Sequence, residues 1–463
     1  MASDWNKLVL RDLIDVKHGF AFKGEYMQEN LLSGPVVVAI GNFDYSGGFR
    51  FSETRVKRYT SEYPVDYVLS AGDMLLAMTC QTSGGEILGI PGIIPDDDDI
   101  YLHNQRLGKV IINKPELVCP DYLYWLFLSR DFNQFIFQRA TGTKILHTSP
   151  KKILEYETAF PSLLEQKLIS RALWSIQDKI TLNRQINQTL EQMAQTLFKS
   201  WFVDFDPVMD NALDAGNPIP DELQHRAEAR KAVRESEGFK PLPDDVRQLF
   251  PDAFEESELG WVPKGWDVTA LGNLVTVKRG GSPRPIKDFI VPEGLPWVKI
   301  SDATSSACRF LSETKEFIRE EGLKKTVYLK SGSLILSNSA TPGLPKFLDL
   351  DACIHDGWLY FPHKEKLSDK YLYQLFEEIR PALVRMGNGS VFTNLKTDIL
   401  KAHQLLVASE NVLTYFDDQL ANLHKKIHSV EQESRTLTKL RDTLLPKLIS
   451  GELRLDEIEA AVE

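Results

Sequence analysis

The sequence predicts an α+β protein of two similar globular domains. Each is followed by a long α-helix, and the two helices pack as an antiparallel coiled-coil spacer. Three observations carry this expectation. The segment TGTKILHTSPKKIL (141–154) returns as GNGSVFTNLKTDIL (387–400), aligned without a gap at an offset of 246. Upstream, DYLYWLF (121–127) answers KYLYQLF (370–376), and AGDMLLA (71–77) answers SGSLILS (331–337). Each copy then runs into a segment with heptad spacing. A solenoid repeat has a period of tens of residues, so a period this long means a duplicated domain.

The chain has 463 residues, too many for one ordinary core, and its 43% hydrophobic and 26% charged residues are those of a folded globular protein. No apolar run approaches membrane-spanning length, and MASDWNKLVL has neither a basic start nor an apolar signal core. Cys80, Cys119, Cys308 and Cys353 form no CxxC pair, which fits buried thiols in a reducing cytoplasm. The net charge of −11 is concentrated in residues 204–260, where 15 acidic and 6 basic side chains give −9. The DDDD run at 96–99 adds a further acidic cluster, so the two domains are otherwise near neutral and have room for local basic surfaces.

Residues 1–161 form the first domain. Short strands are expected at VVVAI (36–40), DMLLAM (73–78), GEILGI (85–90) and KVIIN (109–113), with a helix over 120–140 that starts at a proline. Residues 162–203 form the first long helix, opened by a capping box of Ser162 and Glu165. Residues 204–258 are rich in Pro, Asp and Glu and read as an acidic, partly structured linker with a helical patch near 221–236. The second domain spans 259–407, with strands near VTAL, LPWVKI (295–300) and GSLILS (332–337) and a helix near 368–386. The second long helix covers 408–453 with Pro446 marking its end, and 454–463 is a tail.

Along the first long helix Leu173, Ile176, Ile180, Asn183, Asn187, Leu190, Ala194 and Leu197 alternate steps of three and four. Leu420, Leu423, Ile427, Val430, Ser434, Leu437, Arg441 and Leu444 repeat that seam at an offset of 247. Such a seam needs a partner, and the other copy is the simplest one. Polar seam positions fix register at a cost in stability. About 38 helical residues at 1.5 Å each give roughly 57 Å of rod, longer than the ~34 Å of one DNA turn.

Both domains carry side chains suited to nucleic acid. In the first, Asn104, Gln105, Arg106 and Lys109 offer the types that pair with base edges. Thr79, Gln81 and Thr82, with Thr143 and Lys144, lie in small-residue loops suited to phosphate contact. In the second, the counterparts are Lys278, Arg279, Ser282, Arg284 and Lys299, then Asn338, Ser339 and Thr341, then Asn388, Ser390, Thr393, Asn394 and Lys396. HNQR (103–106) is aligned with HDGW (355–358), so the two domains share a plan and differ in detail.

With LEQMAQTLFKSWFVDFDPV (190–208), SELGWVPKGW (257–266) and LRDTLLPKLISGEL (440–453), the chain resembles the specificity subunit of a type I restriction–modification system over nearly its whole length. The resemblance implies a non-catalytic, DNA-binding subunit in bacterial defence. Each target-recognition domain would read one half of a bipartite duplex site, and the paired helices would set the spacer. Two methylation subunits would dock on the helices to modify adenine, and restriction/translocase subunits would join them. S-adenosylmethionine, ATP and Mg would belong to those partners, with no cofactor in this chain. Phe198, Trp201 and Phe202 read as a surface for subunit docking, or alternatively as a cap on the helix bundle.

Catalytic motifs are missing from the sequence. Asn217–Pro218–Ile219 and Asp206–Pro207–Val208 lack the second proline and aromatic of an adenine-methylating turn, and no GxxxxGK[ST] loop occurs. His424 and His428 stand one helical turn apart with no third ligand nearby, so they read as a solvated face and no metal site is expected. The alternative class, a protein–protein scaffold with two ligand-binding heads, is separated from a DNA reader by salt-dependent duplex binding.

Overall fold

In the first domain Val36–Val38 forms a fully buried strand paired in parallel with Tyr101–His103, as a strand apolar on both faces requires. The computed structural model describes residues 5–51, 56–304, 308–386 and 395–454. It divides into two compact units, Met1–Thr181 with Ser434–Glu463, and Leu182–Glu433.

In the first unit a five-stranded sheet runs in the order Met27–Gln28, Arg58–Tyr59, Val36–Val38, Tyr101–His103, Val68–Leu69. Beside it lies a four-stranded sheet of Ile14–His18, Leu107–Ile112, Met74–Ala77 and Pro91–Ile93. Asn6–Val9 pairs antiparallel with Glu157–Phe160, clipping the start of the domain to its end. The expected helix over 120–140 is two helices, Pro120–Leu128 and Arg130–Arg139. Ser129 separates them, since its hydroxyl donates to Leu126 O and accepts from Phe132 N as an N-cap. The expected strand at 85–90 is a run of turns closed by Leu88 N to Gly85 O and Ile90 N to Ile87 O.

The second unit repeats the plan. Asp267–Ala270 pairs with Gln404–Val407, and Val275–Arg279, Trp358–Lys364, Leu334–Ser337, Pro345–Leu348 and Phe310–Leu311 form one sheet. The other contains Ile290–Val291, Glu316–Ile318, Leu295–Val298, Ala352–Ile354 and Val327–Leu329. The helix Asp369–Met386 matches the expected position.

Each unit holds part of both long helices, Leu163–Phe202 and Glu410–Ser450, and within each unit their paired parts run antiparallel. In the first unit Ile169 and Leu173 share a core with Leu448 and Ile449, and Arg441 Nη1 donates to Gln177 Oε1 at 2.5 Å. In the second unit Asn183 Nδ2 donates to Glu433 Oε2 at 2.9 Å, while Ala194 and Phe198 share a core with Phe416, Leu420 and Ile427. Of the seam, Leu173, Ile180, Asn183, Asn187, Leu420, Ile427, Val430 and Ser434 are buried, and Ile176, Leu190, Leu197, Leu423, Leu437 and Leu444 are partly so. The Ser162–Glu165 capping box is present: Glu165 Oε2 accepts Ser162 N at 2.9 Å and Ser162 Oγ accepts Glu165 N at 3.3 Å. Pro446 does not end the second helix, which continues to Ser450 because burial of Leu448 and Ile449 outweighs one missing backbone bond.

The segment read as a partly structured linker is folded. Helices Asp206–Ala215 and Gln224–Arg234 pack together, and their charges pair across the interface. Arg230 grips Asp210 at 2.9 and 2.6 Å, and Arg234 and Arg247 both reach Asp214. Val208, Met209 and Ala212 are buried beneath these pairs. The acidic run is thus partly neutralised by arginines brought in at helical spacing.

Candidate nucleic-acid interface

Gly19 and Gly280 hold the same place in the two domains, and both pin a turn. A Cβ at Gly19 would stand 2.2 Å from Asn104 O, and one at Gly280 would stand 2.3 Å from His355 O. No other residue fits so close to a backbone carbonyl. In the first unit Phe20 N donates to His103 O at 2.8 Å and Gln105 N to Phe20 O at 2.9 Å. In the second, Gly281 N donates to Ile354 O at 3.2 Å and Gly280 N to Trp358 O at 2.8 Å.

A second loop is fastened to each turn. Met78 N donates to Arg106 O at 3.0 Å and Thr148 N to Met78 O at 2.9 Å. Correspondingly, Asn338 N donates to Gly357 O at 2.8 Å and Leu395 N to Asn338 O at 2.7 Å. These bonds correct two alignments made from sequence. Arg106 corresponds to Gly357, so Asn104 and Gln105 correspond to His355 and Asp356, and HNQR is one residue out of step with HDGW. Likewise Thr148 corresponds to Leu395, and the fully buried Ile153 matches the fully buried Leu400, not Ile399.

In the first domain the turn 104–106, the segment 79–82 and the loop 141–147 therefore meet on one face, with Leu146–His147 pairing Thr79–Cys80. Gln105, Arg106, Gln81, Thr143 and Lys144 are exposed there. Arg106 makes no side-chain hydrogen bond or ion pair among the described residues. Four expected contacts are instead engaged within the fold. Asn104 is buried and its Oδ1 accepts Arg106 N at 3.1 Å, so it shapes the turn. Lys109 pairs with Asp73 at 2.6 Å. The buried Thr79 hydroxyl lies 3.1 Å from His147 Nδ1, and Thr82 donates to Glu86. His103, beneath the turn, has its Nε2 3.0 Å from Leu107 O, and burial pushes its pKa down to about 4.

In the second domain Lys278, Arg279, Arg284 and Lys396 are exposed, and Ser339 and Thr341 half-buried. Asn338 is buried, and Lys299 is held by Glu316. Asn388, Ser390, Thr393 and Asn394 lie outside the described residues. Arg279 Nε donates to Asp356 O at 2.5 Å and Ser282 Oγ to Asp356 Oδ1 at 2.7 Å, with Arg284 3.6 Å from Oδ2. His355 and Asp356, which close this network, were missed as site residues. The signal for them is the K-x-G step at Lys17 and Lys278, which ends on the two pinning glycines.

Phe198, Trp201 and Phe202 are buried in the second unit's core against Tyr371 and Phe416, so within this chain their rings cap the helices. His424 and His428, read as a solvated face, are half-buried and engaged within the fold. His424 stands edge-on to Phe347 at 4.6 Å, and His428 Nε2 lies 2.7 Å from Asp349 Oδ1. Among the described residues no three His, Cys, Asp or Glu side chains gather as a metal site, and no helix is long and apolar enough to cross a membrane.

The specificity subunit of the HindI type I restriction enzyme from Haemophilus influenzae is 26% identical to this chain over 398 residues, covering 78% of this chain and 83% of that protein. The MjaIX specificity subunit from Methanocaldococcus jannaschii is 24% identical over 353 residues, 74% of this chain and 71% of that one. The crystal structure of a type I restriction–modification S subunit from M. genitalium shares the fold, with a TM-score of 0.54 at 14% identity over 97% of this chain and 96% of that one. The family model for the type I restriction modification DNA specificity domain matches residues 2–192 and 263–431. The chain therefore belongs to that family, whose domain it carries in two copies.

Proposed function

We infer that this protein is the non-catalytic, sequence-specific DNA-binding subunit of a type I restriction–modification complex. Each domain reads one half of a bipartite duplex site, and the paired helices set the gap between the halves and dock two methylation subunits. Adenine methylation and ATP-driven cleavage then reside in partner subunits, which bring S-adenosylmethionine, ATP and Mg and work with this chain in the cytoplasm.

The observation that supports this most directly is the duplicated backbone frame with unlike side chains upon it. Gln105 and Arg106 stand where the second domain has Asp356 and Gly357. A shared frame fits a shared ligand backbone, and different side chains at the same positions fit different base sequences.

The test is a chimaera in which residues 1–161 are replaced by the first domain of a relative with a known site. Mapped methylated adenines should show the donor's half-site joined to this chain's second half-site at the parental spacing. Duplex binding should also weaken steeply with salt, as phosphate contacts demand. An unchanged methylation motif in the chimaera contradicts the reading.

A further inference from the structure

In the second domain the turn His355–Gly357 orients a single carboxylate with unusual care. His355 Nδ1 accepts the Gly357 N–H at 2.8 Å, which leaves the ring proton on Nε2. That Nε2 lies 3.0 Å from Asp356 Oδ1, which also accepts the Ser282 hydroxyl at 2.7 Å. Burial holds the His355 ring below its ordinary pKa, so it stays neutral and keeps this arrangement. Its ring stands edge-on to the fully buried Trp297, with centroids 5.8 Å apart. Arg279 fixes the backbone by donating to Asp356 O at 2.5 Å.

Both carboxylate contacts, from Ser282 and His355, are made at Oδ1. Among the described residues Oδ2 has only Arg284 Nη2 at 3.6 Å, beyond hydrogen-bond distance, on a side chain 83% exposed. Burial raises the Asp356 pKa, but the Ser282 hydroxyl and the neighbouring His355, Arg279 and Arg284 more than offset it, so the group stays ionised. Asp356 lines an open cleft of about 880 Å³ together with Arg284, Lys287 and the Lys299–Glu316 ion pair. A carboxylate beside a DNA backbone is tolerable only among such cations. An ionised acceptor with one oriented, unfilled oxygen matches the exocyclic amino group of a base.

We propose that Asp356 reads one base pair of the second domain's half-site, its Oδ2 accepting the amino group of a cytosine or adenine in the major groove. His355, Ser282 and Arg279 are its positioning residues. The proposal rests on the DNA-reading function above and adds the residue and the chemical class of the base it selects.

The test uses the full chain assembled with its methylation subunit. Asp356→Asn turns half of the acceptor into a donor, and the pair His355→Asn with Asp356→Gln installs the first domain's residues on this turn. Binding is measured on duplexes altered at one base pair at a time, methylated adenines are mapped, and thermal melting checks folding. Discrimination at one base pair of the second half-site falls about tenfold or switches base, the loss expected of one base-edge contact. Ser282→Ala weakens discrimination at that same base pair and no other. The first half-site and the spacing keep the parental sequence. If either folded variant keeps every position of the second half-site, or loses affinity equally on all duplexes, the assignment of Asp356 is overturned. Failure of the DNA-reading function looks different, because the parental complex itself would then show no bipartite motif.

Discussion

Arg309 lies buried against Glu191, its Nε 2.6 Å from Oε1 and its Nη2 hydrogen-bonded to Oε2. Arg309 precedes the strand Phe310–Leu311, and Glu191 sits on the first long helix. Within the second unit this bidentate pair ties the globular domain to the helix. The Tyr373 ring lies 4.5 Å beneath the guanidinium. The attachment of domain to helix therefore includes a buried charge that cannot be left alone, beside the apolar core they share.

Removing one partner of a buried ion pair strands the other. Glu191→Ala should lower the unfolding free energy by about 3 kcal/mol, at the low end for such pairs because Glu191 is partly exposed. Equilibrium denaturant unfolding measures this. A change under about 0.5 kcal/mol, the scale of an ordinary surface substitution, means the pair does not anchor the domain.

Two histidines make stability fall in mild acid. Burial holds both His103, in the first unit, and His424, in the second, at a pKa of about 4, against an ordinary value of 6.5. The folded-state pKa is depressed, so the unfolded chain takes up protons first as pH drops. Their contribution is fully present above pH 6.5 and is lost as the pH falls towards 4. In unfolding measured across that window, His103→Gln and His424→Gln should each flatten the decline. An unaltered pH slope in both variants refutes it.

The glycine pinch is intolerant of any side chain. Gly19→Ala should cost about 1–3 kcal/mol, the range for overpacking against a neighbour that cannot yield, because the obstacle is the Asn104 carbonyl and not a flexible side chain. In the assembled complex it should weaken recognition of the first half-site alone. Parental melting and half-site recognition in Gly19→Ala would show that the turn is not held in this way.

The duplication and the helix seam were legible because both are periodic. Leu173 and Ile427 announce their burial by spacing alone. The reading turns were less legible. A one-residue slip between HNQR and HDGW is invisible in sequence, since the His residues align by identity while the backbone hydrogen bonds align Asn104 with His355. The same slip placed Ile153 opposite Ile399, although Leu400 fills its buried site. Composition misled at residues 204–258, where Asp210 and Asp214 read as linker charge but meet Arg230 and Arg234 across a helix pair. Residue type also misled at Lys109 and Thr82, whose polar ends are occupied by Asp73 and Glu86. Which polar group stays open is a tertiary fact.

If the paired helices set the gap between the half-sites, lengthening both helices moves the half-sites apart. One heptad is inserted into the first helix within 173–197 and one into the second within 420–444, keeping the seam in phase. Seven helical residues add about 10 Å, roughly three base pairs at 3.4 Å each. Mapped methylated adenines should show both parental half-sites intact and their separation increased by about three base pairs. The parental spacing, found in an assembled and active complex, would show that the helices do not set the gap.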